Sequence, residues 1–205
     1  RSLVSPYVLR RTKAEVLQDL PPKTEVNLWV DLTADEAENY DTLRKQAIHA
    51  VEDGAGHIEL LAMLTRLRLT SCAAHLAKDG PRLPSAKTQR FLQVVQDLLD
   101  GQHRVLVFSQ FVKHLQHLES ELRAAGHVPL YLDGQTSADE RAERVRRFQE
   151  GESPLFLISL KAGGTGLNLT AADYVLHMDP WWNPAVEDQA SDRAHRIGQK
   201  RPVTI

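Results

Sequence analysis

The spacing of apolar positions changes partway along the chain and divides it in two. Before residue 80 the repeat is helical: Ala37, Tyr40, Leu43, Ala47 and Val51 return every three or four positions behind Thr33-Ala-Asp-Glu36. In that tetrad a hydroxyl and a carboxylate three residues apart satisfy each other's backbone donors, so it reads as a capping box and a helix start. A second helix is predicted from Ile58 to Leu76, after the Gly54-Ala-Gly56 break. Asp79-Gly-Pro-Arg-Leu-Pro84 gathers helix breakers and marks the internal boundary.

Beyond it, short apolar runs alternate with helical periods. The runs are Val105 to Phe108, Val128 to Leu132, Leu155 to Leu160 and Tyr174 to Met178. Ser85 caps a helix carrying Phe91, Leu92, Val95, Leu98 and Leu99, and Phe111, Leu115, Leu118 and Leu122 mark the next. Ser137-Ala-Asp-Glu140 is a second capping box, with Val145 and Phe148 facing inward behind it. Asn183 caps a helix whose first position is Pro184, where a missing N–H costs nothing. Pro202 to Ile205 reads as the opening of a further strand. Apolar runs separated by helices are what βαβ units on a buried parallel sheet require. The prediction is therefore an α/β unit over 85–205, a parallel sheet flanked by helices, preceded by a helical extension over 1–84. No internal repeat or low-complexity tract interrupts it.

Composition narrows the class. With 205 residues, 42% hydrophobic and 25% charged, the chain can bury one sizeable core plus an appendage. No apolar run approaches the roughly 20 residues that span a bilayer, and no signal-peptide pattern opens the chain. Cys72 is the only cysteine, which rules out an internal disulfide and points to a reducing compartment. The formal charge of −2 means that any nucleic-acid contact must come from a local basic patch. A start at Arg1 and an end inside a strand suggest an excised piece of a longer protein, truncated at its C-terminus.

Chemistry concentrates late in the chain. Placed on a helix, Gln189-Ala-Ser-Asp-Arg-Ala-His-Arg-Ile-Gly-Gln199 sets Val186, Ala190, Ala194 and Ile197 in one apolar stripe and gathers Gln189, Arg193 and Arg196 on a flank. Two planar, permanently charged guanidiniums suit the oxygens of a transferring phosphoryl group; a solvated flank paired with Asp188 or Asp192 is the alternative. Lys161-Ala-Gly-Gly-Thr-Gly-Leu-Asn-Leu169 follows a strand directly, and its glycines suit either a tight turn or backbone amides closing on an anion. Asp179-Pro-Trp-Trp-Asn-Pro184 is a stiff aromatic corner, with at least one tryptophan expected in the core.

Other features read more plainly. His114 and His117 lie three apart on a helix, but no Glu or Cys nearby completes a metal-ligand set, so both are expected at the surface. Arg141, Arg144, Arg146 and Arg147 alternate with Glu140 and Glu143 as a solvated face, with phosphate contacts as the alternative. Cys72 falls in an apolar helical pattern and is expected to be a buried, inert thiol. Asp35 to Glu38 is helix N-terminal charge and not a magnesium box. The phosphate-loop pattern Gly-x4-Gly-Lys-Ser/Thr is absent from the sequence.

Taken in order, Val105-Leu-Val-Phe-Ser-Gln-Phe111, Leu132-Asp-Gly-Gln-Thr-Ser137, the Lys161 to Leu169 loop, the Asp179 to Pro184 corner and the Gln189 to Gln199 segment resemble the C-terminal lobe of the Swi/Snf-related ATPases of helicase superfamily two, bacterial members above all. Pro6-Tyr-Val-Leu-Arg-Arg11 and Leu20-Pro-Pro-Lys23 resemble the segment joining that family's two motor lobes, and Leu64-Thr-Arg-Leu-Arg68 the helix that follows. One departure is Cys72-Ala-Ala-His75, where bacterial members often carry Cys-His-Pro.

The resemblance implies a RecA-like lobe. It makes Arg193 and Arg196 arginine fingers that reach ATP held by a first lobe, and Gln189 a polar partner in the same motif. It makes Gly163, Gly164, Thr165 and Asn168 a loop coupling nucleotide to DNA. Ser109, Gln110 and Lys161 fall at or near a DNA backbone track, with Trp182 beside it. ATP and Mg2+ would be held mainly by the first lobe, so this chain alone is expected to hydrolyse nothing. The implied partners are that lobe and double-stranded DNA, with no membrane; the implied location is the cytoplasm beside the nucleoid, or the nucleus, and not outside the cell. Two other functions stay open: a lobe of a strand-separating helicase, which the double tryptophan with Asp192-Arg-Ala-His-Arg196 argues against, and an idle DNA- or protein-binding module, which has no need of the arginine pair.

Overall fold

The structure, a computed structural model, describes residues 20–163 and 166–205. Gly164, Thr165 and the Pro6 to Arg11 segment lie outside the described residues. Strands β1 (Lys23–Thr24), β2 (Val105–Ser109), β3 (Leu130–Leu132), β4 (Leu155–Ser159), β5 (Tyr174–His177) and β6 (Val203–Thr204) form one sheet in the order β1-β6-β5-β2-β4-β3. Every pairing is parallel, as the alternation of runs and helices predicted.

The centre of the sheet is β2 beside β4, buried at every position. Successive side chains on a strand point to opposite faces, so each run feeds two cores. Leu106, Phe108, Phe156 and Ile158 pack with Phe148, Leu169, Ala190 and Ala194 on one face. Val105, Val107, Leu155 and Leu157 pack with Phe91, Val95, Leu115, Leu118 and Leu122 on the other. The second face is covered by α3 (Ala86–Asp100) and α4 (Val112–Ala124). The first meets α5 (Ala138–Glu150), the short α6 (Leu160–Gly163) and α7 (Pro184–Ser191). The caps fall where the sequence put them: Ser85 accepts from the Thr88 amide, Ser137 and Glu140 close a capping box, and Asn183 accepts from Ala185 ahead of Pro184.

Ahead of the sheet, α1 (Ala34–Glu52) and α2 (His57–Cys72) pack together. The expected helix to Leu76 is interrupted: Ala73 is extended, with φ −164° and ψ 135°, and a single 3-10 turn, Ala74–Leu76, follows. The stretch expected to be mostly helical also lends β1 to the sheet edge, where the Val26 amide donates to Ile205 O at 2.8 Å. Glu36 joins the two parts. Besides completing the Thr33 capping box it accepts from the Ala86 amide at 3.2 Å, so one buried carboxylate serves the starts of α1 and α3. Among the described residues no helix is long and apolar enough to cross a membrane.

Candidate functional site

The arginine segment is not the continuous helix its periodicity suggested. α7 ends at Ser191, and the Arg193 and Ala194 amides donate three residues back, to Ala190 and Ser191. The carbonyls that would extend a helix are taken elsewhere: Arg193 O accepts from the Leu169 amide at 3.0 Å, and Ala194 O from Gln199 Nε2 at 3.1 Å. The segment therefore turns along the glycine-rich loop. Ala190 and Ala194 are buried as expected, but Ile197 is 72% exposed, because beyond the turn it no longer shares their face. Gln189 sits exposed on α7, while both arginines lie half-buried after it.

Both guanidiniums meet the loop. Arg193 Nε donates to Gly163 O at 3.1 Å, and Arg196 Nη1 to Leu167 O at 3.3 Å. With the Leu169 amide bond, three contacts make the arginine turn and the loop one unit. Gly163 is needed for packing: a Cβ there would stand 2.8 Å from Phe108 Cε1. Gly166 has φ +59°, a left-handed backbone that glycine adopts without strain. Lys161 and Asn168 are exposed at the two ends of the loop.

The aromatic corner divides as predicted: Trp181 packs on the core and Trp182 is 68% exposed. What orders the corner was missed from the sequence. Arg68, on α2, donates Nη2 to Pro180 O at 2.6 Å and Nη1 to Gln110 Oε1 at 3.1 Å. Its guanidinium carbon lies 5.5, 5.1 and 5.7 Å from the ring centres of Phe111, Trp181 and Trp182, within cation–π range. One arginine thus gathers the Ser109–Phe111 turn and the tryptophans. The sequence marked Arg68 only as the end of Leu64-Thr-Arg-Leu-Arg68, and neither a helical repeat nor that resemblance reveals a partner 112 residues away. Ser109 is buried, and its hydroxyl accepts from the Phe111 amide at 3.0 Å, shaping the turn that presents Gln110. The Gln110 amide in turn donates to Asp179 Oδ2 at 3.1 Å.

The histidine reading needs correction. His114 is fully buried and His117 half-buried, because α4 turns both toward the end of α2, and Cys72 and Asp179 approach His114 there. Cys72 is buried as expected, and burial pushes its thiol up to about 12. The arginines of α5 pair along a solvated face, Arg146 with Glu143 and Glu150, and Arg147 with Glu152.

Comparison with known proteins agrees with this geometry. The helicase conserved C-terminal domain family matches residues 87–198, and the SNF2-related domain family residues 1–76. The putative ATP-dependent helicase/translocase YwqA of Bacillus subtilis is 38% identical over 216 residues, which cover 100% of this chain and 23% of that protein. The human SWI/SNF-related matrix-associated actin-dependent regulator of chromatin subfamily A member 1 is 34% identical, covering 100% of this chain and 21% of that protein. The chain thus spans about a fifth of the length of these curated relatives. Among solved structures, the Sulfolobus solfataricus SWI2/SNF2 ATPase core in complex with dsDNA superposes with a TM-score of 0.76 at 31% identity, covering 99% of this chain and 44% of that one. The sheet is accordingly RecA-like, and the chain belongs to the helicase conserved C-terminal domain family, as the C-terminal lobe of a Snf2-family ATPase of superfamily two.

Proposed function

We propose that this chain is the second motor lobe of an ATP-driven translocase on double-stranded DNA, with residues 85–205 as the lobe and 1–84 as its extension. The observation that carries the reading is the union of the arginine turn with the glycine-rich loop. A motor must link the state of its nucleotide to its grip on DNA, and this unit gives both ends a shared rigid part. Arg193 and Arg196 act as fingers on the γ-phosphate of ATP, whose Mg2+ and remaining contacts come from a first lobe. Guanidinium donors suit the charge spread over the phosphoryl oxygens and are worth about 10³–10⁵ in rate, but only on a nucleotide already held. Gln189 sits in the same motif, and Gly163, Gly164, Thr165 and Asn168 relay cleft closure toward DNA.

On the DNA side, Lys161 and Trp182 are exposed toward the duplex, and Ser109 with Gln110, whose side chain is held by Arg68, shapes the turn beside them. Contacts to phosphates make binding independent of sequence and sensitive to salt. Alone, the chain hydrolyses no ATP. The test compares the chain with a two-lobe protein that contains it. DNA-stimulated ATPase and displacement of a triplex strand are expected only from the two-lobe protein. Hydrolysis by the chain alone, or a two-lobe protein indifferent to DNA, overturns the reading.

A further inference from the structure

Three buried side chains that the motor does not use converge between α2, α4 and the end of β5. Cys72 Sγ, a ring nitrogen of His114 and a carboxylate oxygen of Asp179 all lie within 4.8 Å of one another. Both ring nitrogens of His114 and Oδ1 of Asp179 are buried without a hydrogen-bond partner. The two residues approach no closer than 3.8 Å between His114 Nδ1 and Asp179 Oδ1, beyond hydrogen-bond reach. Buried polar atoms are almost always satisfied, and an orphaned set aimed at one point is what an ion or a trapped water leaves behind. Asp179 is held in that aim, since its other oxygen accepts from the Gln110 amide.

We propose that Cys72 Sγ, one ring nitrogen of His114 and Asp179 Oδ1 form a site for a divalent transition metal of the zinc class. The donor set decides the class. Magnesium and calcium take oxygens, whereas a sulfur, a nitrogen and an oxygen together suit zinc, with solvent in the fourth position. Bonds of about 2.0–2.3 Å in tetrahedral geometry place donor atoms about 3.2–3.8 Å apart, so the trio closes by about 1 Å on the ion. Binding exchanges the thiol proton, released to solvent, for a sulfur–metal bond, with no change of oxidation state. Burial cuts two ways at the site: it holds His114 in the neutral form a metal needs, against the pull of Asp179, but it disfavours the Cys72 thiolate, so the ion's own charge must displace the thiol proton. An ion there ties the extension to the lobe directly behind the aromatic corner.

Cobalt(II), a spectroscopic stand-in for zinc, tests the site on the metal-stripped full chain. One equivalent should bind with a thiolate-to-cobalt charge-transfer band, and zinc should raise the thermal midpoint. Both responses should vanish in Cys72→Ser and His114→Gln and persist in His117→Gln, which alters the neighbouring histidine only. Circular dichroism checks that each variant is folded; Cys72→Ser, nearly isosteric, carries the test if His114→Gln does not fold. No band and no zinc-dependent shift in the unaltered chain would overturn the proposal, as would a band that survives in folded Cys72→Ser.

Discussion

Arg193 donates its Nε to the carbonyl oxygen of Gly163 at 3.1 Å, across 30 residues of sequence. The bond joins the segment bearing the proposed fingers to the loop proposed to couple nucleotide and DNA, and Arg196 repeats it at Leu167. The nitrogen used is the one nearest the stem, so the contact fixes the plane of the guanidinium. Disturbing the loop backbone should therefore be felt at the arginines.

Gly163 is where that disturbance is simplest to make. In Gly163→Ala the new methyl meets the ring of Phe108, which is 1% exposed and stacked on His177, so neither ring can retreat freely. Overpacking of this kind costs about 1–3 kcal/mol. Urea unfolding should register that loss, and ATPase in a two-lobe protein should fall further than stability alone explains.

Arg68 makes a different prediction. Arg68→Ala removes two hydrogen bonds and three ring contacts and should cost about 1–3 kcal/mol. Arg68→Lys keeps the charge but cannot donate to Pro180 O and Gln110 Oε1 from one plane, so it should recover less than half of the loss. Chemical denaturation gives the size, and a shift in tryptophan emission reports the loosened corner.

Glu36 serves two helix starts at once. Glu36→Ala leaves the Thr33 and Ala86 amides without their acceptor in a buried position and should destabilise by about 1–3 kcal/mol. Glu36→Gln keeps one acceptor oxygen and should lose less. Thermal denaturation of the two variants orders them.

His117 gives a pH dependence. Its ring lies 4.7 Å from that of His75 and within hydrogen-bond distance of the Thr88 hydroxyl; burial first, then the neighbouring histidines, hold its pKa below the ordinary histidine value, with Glu121 opposing. A histidine whose folded pKa is depressed binds its proton more readily when unfolded, so its share of stability is complete above about pH 6.5 and is lost as pH falls below it. Lowering the pH from 7.5 to about 5.5 should destabilise the wild type more than His117→Gln. Melting curves at both values measure the difference.

The parallel sheet was legible because four apolar runs and three capped helices each obeyed a local rule, and all agree with one architecture. The site was legible in part. The arginine segment and the glycine-rich loop, both singled out in the sequence, do meet, but the turn that carries the arginines could not be foreseen, since the Leu169 amide and the Gln199 side chain capture the carbonyls a helix would have used. Arg68 and the burial of His114 escaped because both depend on partners distant in sequence, where periodicity carries no information. Val128 marks the limit at strand ends: expected in β3, it is 70% exposed, and the strand begins at Leu130.

The most direct measurement is the DNA-stimulated ATPase rate of a two-lobe protein carrying Arg193→Ala or Arg196→Ala. Each variant should keep its circular dichroism and its salt-sensitive DNA binding while turnover drops by about a thousandfold or more, as removal of a finger predicts. A folded variant that hydrolyses ATP at the wild-type rate would contradict the account.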